Sequence, residues 1–217
     1  MKVVVVASGE LAESDGTWLD DADLVIAADG GAGSLDRLGR APDVLVGDLD
    51  SIDHGLLARL AAAGTTVEHH PVDKEASDTE LAMEMALGAG AAAVVLLGAV
   101  GGERLDHELA NLLLLADPSL AGRDVRAVRG ATQVRAVVGG GQLDLDGSAG
   151  DLVTLLAVGG DASGVTTAGL RWTLDAATLP LGRSRGLSNE VVGRPASVRL
   201  THGTLLVIET APRGDIA

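Results

Sequence analysis

From Met1 to about Val128 the chain alternates short apolar runs with stretches whose apolar residues recur at helical spacing. The segments VVVVAS, DLVIAAD, DVLVGD, TTVEHH and AAVVLLGA read as strands, and residues near 32–39, 54–63, 77–88 and 105–116 as helices. In the last of these, Leu105, Leu109, Leu112, Leu113 and Ala116 share one face. Continuous apolar strands separated by helices predict a parallel sheet covered on both sides, a Rossmann-like α/β/α sandwich. After about Gly130 the rhythm changes. Short pieces such as TQVRAVV, GQLDL, DLVTLLAV, SGVTTAG, ASVRLTH and TLLVIET lie between Gly, Asp and Ser turns, the spacing of an all-β sandwich. The break at 128–132 gives an α/β domain over 1–129 and a β-sandwich domain over 130–217.

Composition narrows the classes. No apolar run approaches the roughly 18 to 20 residues of a membrane span, and MKVVVVASGE reads as a first strand rather than a signal peptide. The absence of cysteine excludes disulfides, thiolate metal sites and cysteine nucleophiles. Together these features lead to the expectation of a cytoplasmic protein with no membrane partner. A net charge of −15 argues against nucleic acid as a partner, which needs a basic surface. An acidic chain still binds polyphosphate where divalent metal and local cations supply positive charge. Lysine occurs only at 2 and 74, and the aromatic residues are Trp18 and Trp172 alone, so the core must rest on Leu, Val, Ile and Ala.

In an open parallel sheet, ligands bind beyond the carboxyl ends of the strands, so the residues that follow each strand carry the chemistry. After LVIAA come Asp29, Gly30 and Gly31, then Gly33, where the backbone can turn sharply and a ligand can approach. By itself this is an ordinary strand-to-helix turn. The dinucleotide fingerprint fails because Asp36 stands where its third glycine would be, and no P-loop occurs. After DVLV come Asp48 and Asp50. Asp50 or Ser51 could cap the helix that starts near Asp53, but two carboxylates and a glycine exceed what a cap requires. The pair would repel unless a hard cation held it, and Mg²⁺ favours carboxylate oxygens together with substrate phosphates.

After TTVEHH, Ser77 and Glu80 form a capping-box pattern, with Asp78 in the first helical turn and Lys74 four residues before it. His69 and His70 lack a metal-ligand partner at suitable spacing and read as solvated strand-end residues. After AAVVLLGA, Gly101 and Gly102 form a flexible turn, and Arg104, Asp106, His107 and Asn111 gather along the next helix. His107 and Asn111 share a face, and Arg104 suits a two-pronged grip on phosphate. Each site also has a plain structural explanation, but four on one sheet edge predict a metal-assisted site for a nucleotide polyphosphate.

The segments ADGG, GDLDSI, DKEASDTELA and GGERLDHELAN, in that order, resemble the thiamine pyrophosphokinases. In the second half, TTAGLRWTLDAATLPLGRSRGLSNEVVG is similar to the family's Gly-Leu-x-aromatic stretch followed by Ser-Asn-Glu. The likeness runs from about Asp29 to Asn111 and again from Gly169 to Glu190. It departs where Glu103 separates the usual glycine pair from Arg104.

The resemblance implies Mg²⁺-dependent transfer of diphosphate from ATP to the hydroxyethyl oxygen of thiamine, with release of AMP. It assigns Asp29, Asp48, Asp50 and Asp78 to the metal and triphosphate, with Asp48, Asp50 and Asp78 as metal ligands and these three and Asp106 as the catalytic set. Gly30, Lys74, Arg104 and Asn111 join Asp29 in binding the nucleotide. Trp172, Ser188 and Asn189 would bind thiamine, whose cationic thiazolium and flat pyrimidine suit an indole face; otherwise Trp172 is a sandwich-core residue. The family also implies a homodimer with the site between subunits. The alternatives are a diphosphokinase for a pterin-like alcohol and a non-catalytic nucleotide or thiamine sensor.

Overall fold

Packing divides the chain into two units, Met1–Leu114 with Gly122–Gly130, and Leu115–Ala121 with the chain from Ala131 onward. The computed structural model describes residues 1–50 and 52–212.

The first unit holds six parallel strands: β1 (Lys2–Val6), β2 (Leu24–Ala28), β3 (Val44–Gly47), β4 (Thr66–His69), β5 (Ala93–Leu97) and β6 (Asp124–Arg129). They lie in the order β4-β3-β2-β1-β5-β6. The chain builds outward from β1 to β4, then crosses back to lay β5 on the other side of β1. The strand order therefore reverses between β1 and β5, which opens a crevice at their carboxyl ends. β6 escaped the sequence reading because DVRAVR alternates charge with apolar residues and contains no long apolar run.

Alternation along the strands feeds both faces of this sheet. Val4, Val6, Ala27, Leu45, Val95 and Leu97 cluster with Leu35 of α1 (Gly31–Arg37) and with Leu56 and Leu60 of α2 (His54–Ala62). The intervening Val3, Val5, Ile26, Val46, Val94 and Leu96 are just as buried. Helix α3 (Asp78–Gly88) packs on β1, β2 and β3 and buries Ala82, Met83 and Ala86. The α/β reading thus holds, with each strand near its expected place.

Two local expectations change. Helix α2 is capped by Asp53, whose carboxylate accepts the Leu56 N–H at 2.9 Å, and not by Asp50; Ser51, the other cap candidate, lies outside the described residues. Helix α4 (Leu105–Leu114) does not bury its leucine face. Leu105, Leu109 and Leu113 are 67%, 53% and 53% exposed, and its one buried residue is Asn111. The polar face points inward because it serves the crevice. Ser77 does cap α3, accepting the Glu80 N–H at 3.1 Å.

Apart from one 3₁₀ turn at Pro118–Leu120, the second unit is built on antiparallel strands. Its members are β7 (Thr132–Val138), β8 (Gln142–Asp144), β9 (Leu152–Ala168), β10 (Ala177–Leu179), β11 (Asn189–Glu190), β12 (Ser197–Arg199) and β13 (His202–Thr210). They run in the order β7-β13-β9-β12-β8, with β10 and β11 also on β9. DLVTLLAV and SGVTTAG, expected as two strands, are one 17-residue strand. It bends where its pairing with β13 jumps from Val158–Thr204 to Ser163–His202, at glycines 159 and 164 in left-handed conformations. The core is Val, Leu and Ala, including Val137, Leu155, Ala162, Val165, Leu179, Val198 and Leu205, as a chain without Phe or Tyr requires.

Candidate active site

A cleft of about 470 Å³ lies at the carboxyl edge of the parallel sheet, where the strand order reverses. Its walls include Ser8 and Gly9 after β1, Asp29 after β2, Asp48 and Asp50 after β3, Asp78 and Thr79 at the start of α3, and Gly98, Ala99, Gly102 and Glu103 after β5. Arg104, His107, Glu108 and Asn111 complete it. Among the described residues, the lining contains no Phe, Tyr or Trp.

Close backbone approach fixes the turns at this sheet edge. A Cβ on Gly31 would lie 2.0 Å from the Val6 carbonyl oxygen, and one on Gly9 would lie 2.4 Å from that of Gly98. Only glycine fits there. Ser8 and Gly9 went unread because SG after a strand resembles any turn. Of Gly30, Gly31 and Gly33, the structural demand falls on Gly31; Gly30 precedes α1 as its N-cap and does not line the cleft.

The carboxylates are aimed by unusual backbone. Asp29 has φ 45° and donates its N–H to Val46 O at 2.9 Å. Leu49, between Asp48 and Asp50, has φ 62°. Left-handed geometry at non-glycine residues is strained and concentrates at functional sites. Asp29, Asp48 and Asp78 each present a carboxylate oxygen, and the three oxygens lie within 4.8 Å of one another. Behind them is Gly47, where a Cβ would come within 3.1 Å of Asp78 Oδ1 and 3.2 Å of the Asp29 Cβ. Asp50, expected beside Asp48 as a metal ligand, lines the cleft outside this triad.

The electrostatics separate the two neighbours. The Asp50 N–H, donated to Asp48 Oδ1 at 3.2 Å, is the main cause that lowers the Asp48 pKa, with help from Lys74. The Asp48 charge is the main cause that raises the Asp50 pKa, followed by desolvation and by Asp29. The Lys74 ammonium lies 3.0 Å from Asp78 Oδ1 and 3.6 Å from Asp48 Oδ2 and donates to Pro71 O at 3.3 Å. Burial opposes its charge, but Asp78 and then Asp48 outweigh burial and raise its pKa. Lys74 is therefore a partner of the carboxylates and does not itself line the cleft.

The loop after β5 is braced by side chains. Glu108 Oε1 accepts both the Gly101 N–H at 2.8 Å and the Gly102 N–H at 2.9 Å. Asn111, expected to touch nucleotide, is buried and donates Nδ2 to the Ala99 carbonyl at 3.0 Å. The Arg129 guanidinium packs so closely that a Cβ on Gly101 would meet it at 2.6 Å. Glu108 and Arg129 were not singled out in the sequence, where both look like ordinary surface charges. Arg104 and Asp106 form a two-pronged pair at 2.9 and 2.6 Å. The Arg104 hydrogen bonds hold the Asp106 carboxyl well below the usual carboxylate range. Both are about two-thirds exposed, and Asp106 is not among the cleft-lining residues.

In the second unit the two signature segments pack backbone to backbone. Leu170 bridges Val191, the Arg171 N–H donates to Glu190 O at 2.9 Å, and the Val192 N–H donates to Gly169 O at 2.8 Å. Trp172 is 58% exposed and so is not a core residue. Ser188 is exposed at φ 56° and donates its N–H to Thr154 Oγ1 at 3.0 Å. Asn189 is buried against the Trp172 main chain.

Known proteins match both units. The thiamin pyrophosphokinase catalytic domain matches residues 16–126, and the thiamin pyrophosphokinase vitamin B1 binding domain matches 142–205. The thiamine pyrophosphokinase of Bacillus subtilis (strain 168) is 24% identical over 194 residues, covering 89% of this chain and 90% of that protein. A crystal structure of thiamine pyrophosphokinase from Bacillus subtilis superposes with TM-score 0.87 at 24% identity, covering 98% of this chain and all of the other. The yeast enzyme's crystal structure superposes at 0.81 with 14% identity, covering 97% and 86%. The chain belongs to the thiamin pyrophosphokinase family and is an enzyme of thiamine diphosphorylation.

Proposed function

We propose that the enzyme transfers the terminal diphosphate of ATP to the hydroxyethyl oxygen of thiamine, giving thiamine diphosphate and AMP, with Mg²⁺ in the acidic cleft. The observation that carries this reading is the Asp29–Asp48–Asp78 cluster. Three hard oxygen donors around Gly47, where a side chain would crowd them, fit Mg²⁺ better than any softer metal. When bound, the metal neutralises the triphosphate and aligns it for in-line displacement.

The chain's own residues have separate tasks. Asp29, Asp48 and Asp78 hold the cation, and Asp50 faces the same space. Lys74 balances the cluster's negative charge. Arg104 is the phosphate-binding cation at the cleft wall, and it exchanges Asp106 for phosphate oxygens when the nucleotide arrives. Glu108 and Asn111 fix the loop that shapes the phosphate site. A cleft carboxylate takes the proton of the thiamine hydroxyl as the oxygen attacks the β-phosphorus; the bond from that phosphorus to the α–β bridging oxygen breaks, and AMP leaves with that oxygen. Residues 1–129 thus serve as the catalytic domain and 130–217 as the thiamine-binding domain, where Trp172 stacks on the substrate and Ser188 stands beside it.

The same proposal includes a homodimer, with each thiamine site between the α/β unit of one subunit and the sandwich of the other, working in the cytoplasm where ATP is available. Incubating the pure protein with ATP, Mg²⁺ and thiamine and separating the products tests the reaction. Thiamine diphosphate with AMP is expected. ADP with thiamine monophosphate, or no turnover, overturns it.

A further inference from the structure

Trp172 is exposed, yet it is held from two directions. Its main chain is held by Asn189, whose Oδ1 accepts the Trp172 N–H at 3.0 Å while Nδ2 donates to the Trp172 carbonyl at 2.7 Å. This two-way exchange copies the hydrogen-bonded pair of an antiparallel ladder. The same Oδ1 accepts the Glu190 N–H at 2.9 Å, so the amide is occupied by main chain on both sides. Its ring is held by Arg171, whose guanidinium carbon lies 5.2 Å from the indole centroid. Glu190 Oε2 fixes that guanidinium at 3.0 Å.

We propose that Arg171, pinned by Glu190, reserves one face of the Trp172 indole, and that Asn189 fixes the main chain beneath it, so that the flat cationic substrate stacks on the opposite face alone. Arg171, Glu190 and Asn189 are then positioning residues that act through Trp172. This revises the expected role of Asn189 as a substrate contact. Glu190 has a second effect. A cation already on one face disfavours a second on the other, and the neighbouring carboxylate cancels that repulsion. The inference rests on Trp172 being the thiamine platform, so the experiment separates the two claims.

The first readout needs no substrate. Trp172 is the sole emitter in a Trp18→Phe background. There Arg171→Ala raises the acrylamide Stern–Volmer constant about twofold, because a planar ring with both faces open offers about twice the collision surface. With Trp18 retained, the same change appears in smaller amplitude on a constant background. An unchanged constant overturns the inference.

The second readout is kinetic. Arg171→Ala raises KM for thiamine about two- to five-fold, the worth of an exposed cation–π contact; Asn189→Asp, which loses the amide donor to the Trp172 carbonyl, raises it by a similar factor, the worth of about one hydrogen bond. Both leave kcat and KM for ATP unchanged. Arg171→Lys restores most of the loss. Glu190→Gln raises the thiamine KM by a factor that shrinks as salt is added, because the repulsion it uncovers is screened. Trp172→Ala with an unaltered thiamine KM would end the platform reading itself. A raised KM in Trp172→Ala with no effect in the Arg171 and Asn189 variants would overturn this inference alone.

Discussion

Asp48 and Asp53 stand five positions apart and do unrelated work. Asp53 closes the first turn of α2 through the Leu56 N–H, and Asp48 belongs to the carboxylate cluster proposed to hold the cation. Asp53→Ala should therefore cost about 1 kcal/mol of stability in urea denaturation, the worth of a lost cap, with kcat unchanged. Asp48→Asn should abolish turnover while its unfolding free energy stays within about 0.5 kcal/mol of the parent. Substantial activity in Asp48→Asn refutes its metal role. At this scale much of the site was legible. Several carboxylates on one sheet edge exceed what caps and turns need, and that excess is visible in the sequence. Illegible were residues whose chemistry is turned on the protein itself. An asparagine in a motif looks the same whether its amide meets ligand or main chain, and Asn111 and Asn189 meet main chain.

Among the elements, α4 departs most from its pattern. Helical spacing gave it an apolar stripe, and the stripe of Leu105, Leu109 and Leu113 is real but exposed. Periodicity reports which residues share a face and not which face turns inward. The face that turns inward carries Glu108 and Asn111, which together brace the loop from Ala99 to Gly102. Asn111→Ala leaves the Ala99 carbonyl without its side-chain donor. It should destabilise the protein by about 1–3 kcal/mol in chemical denaturation. Glu108→Gln keeps an acceptor but loses the charge, and should raise KM for ATP with little change in KM for thiamine. Equal effects on both substrates would refute a local brace. The β9 strand shows the converse difficulty. Glycines in its middle read as a turn between two strands, whereas here they bend one strand and let it pair on both sides of the bend.

For the whole molecule, the order of elements was legible because α/β and all-β segments differ in rhythm, and β6 was lost because its polar alternation lacks that contrast. Assembly is the open property at this scale. The proposed homodimer predicts a sedimentation mass of about twice the 21.8 kDa chain. A monomer mass at assay concentration, with full activity, refutes a site shared between subunits.

The division of labour between Asp48 and Asp53 also bears on how such a chain can change over generations. Where the groups that start a helix are also the groups that do the chemistry, losing one erases both, and selection removes the protein. With the reaction assigned as proposed, the two functions rest on separate carboxylates a few positions apart. A descendant could lose its reaction in one substitution and keep its architecture, free to drift toward a role that only binds. Duplicate copies of this gene would therefore be expected to survive as silent, well-folded proteins, recognisable by an intact Asp53 beside an altered Asp48.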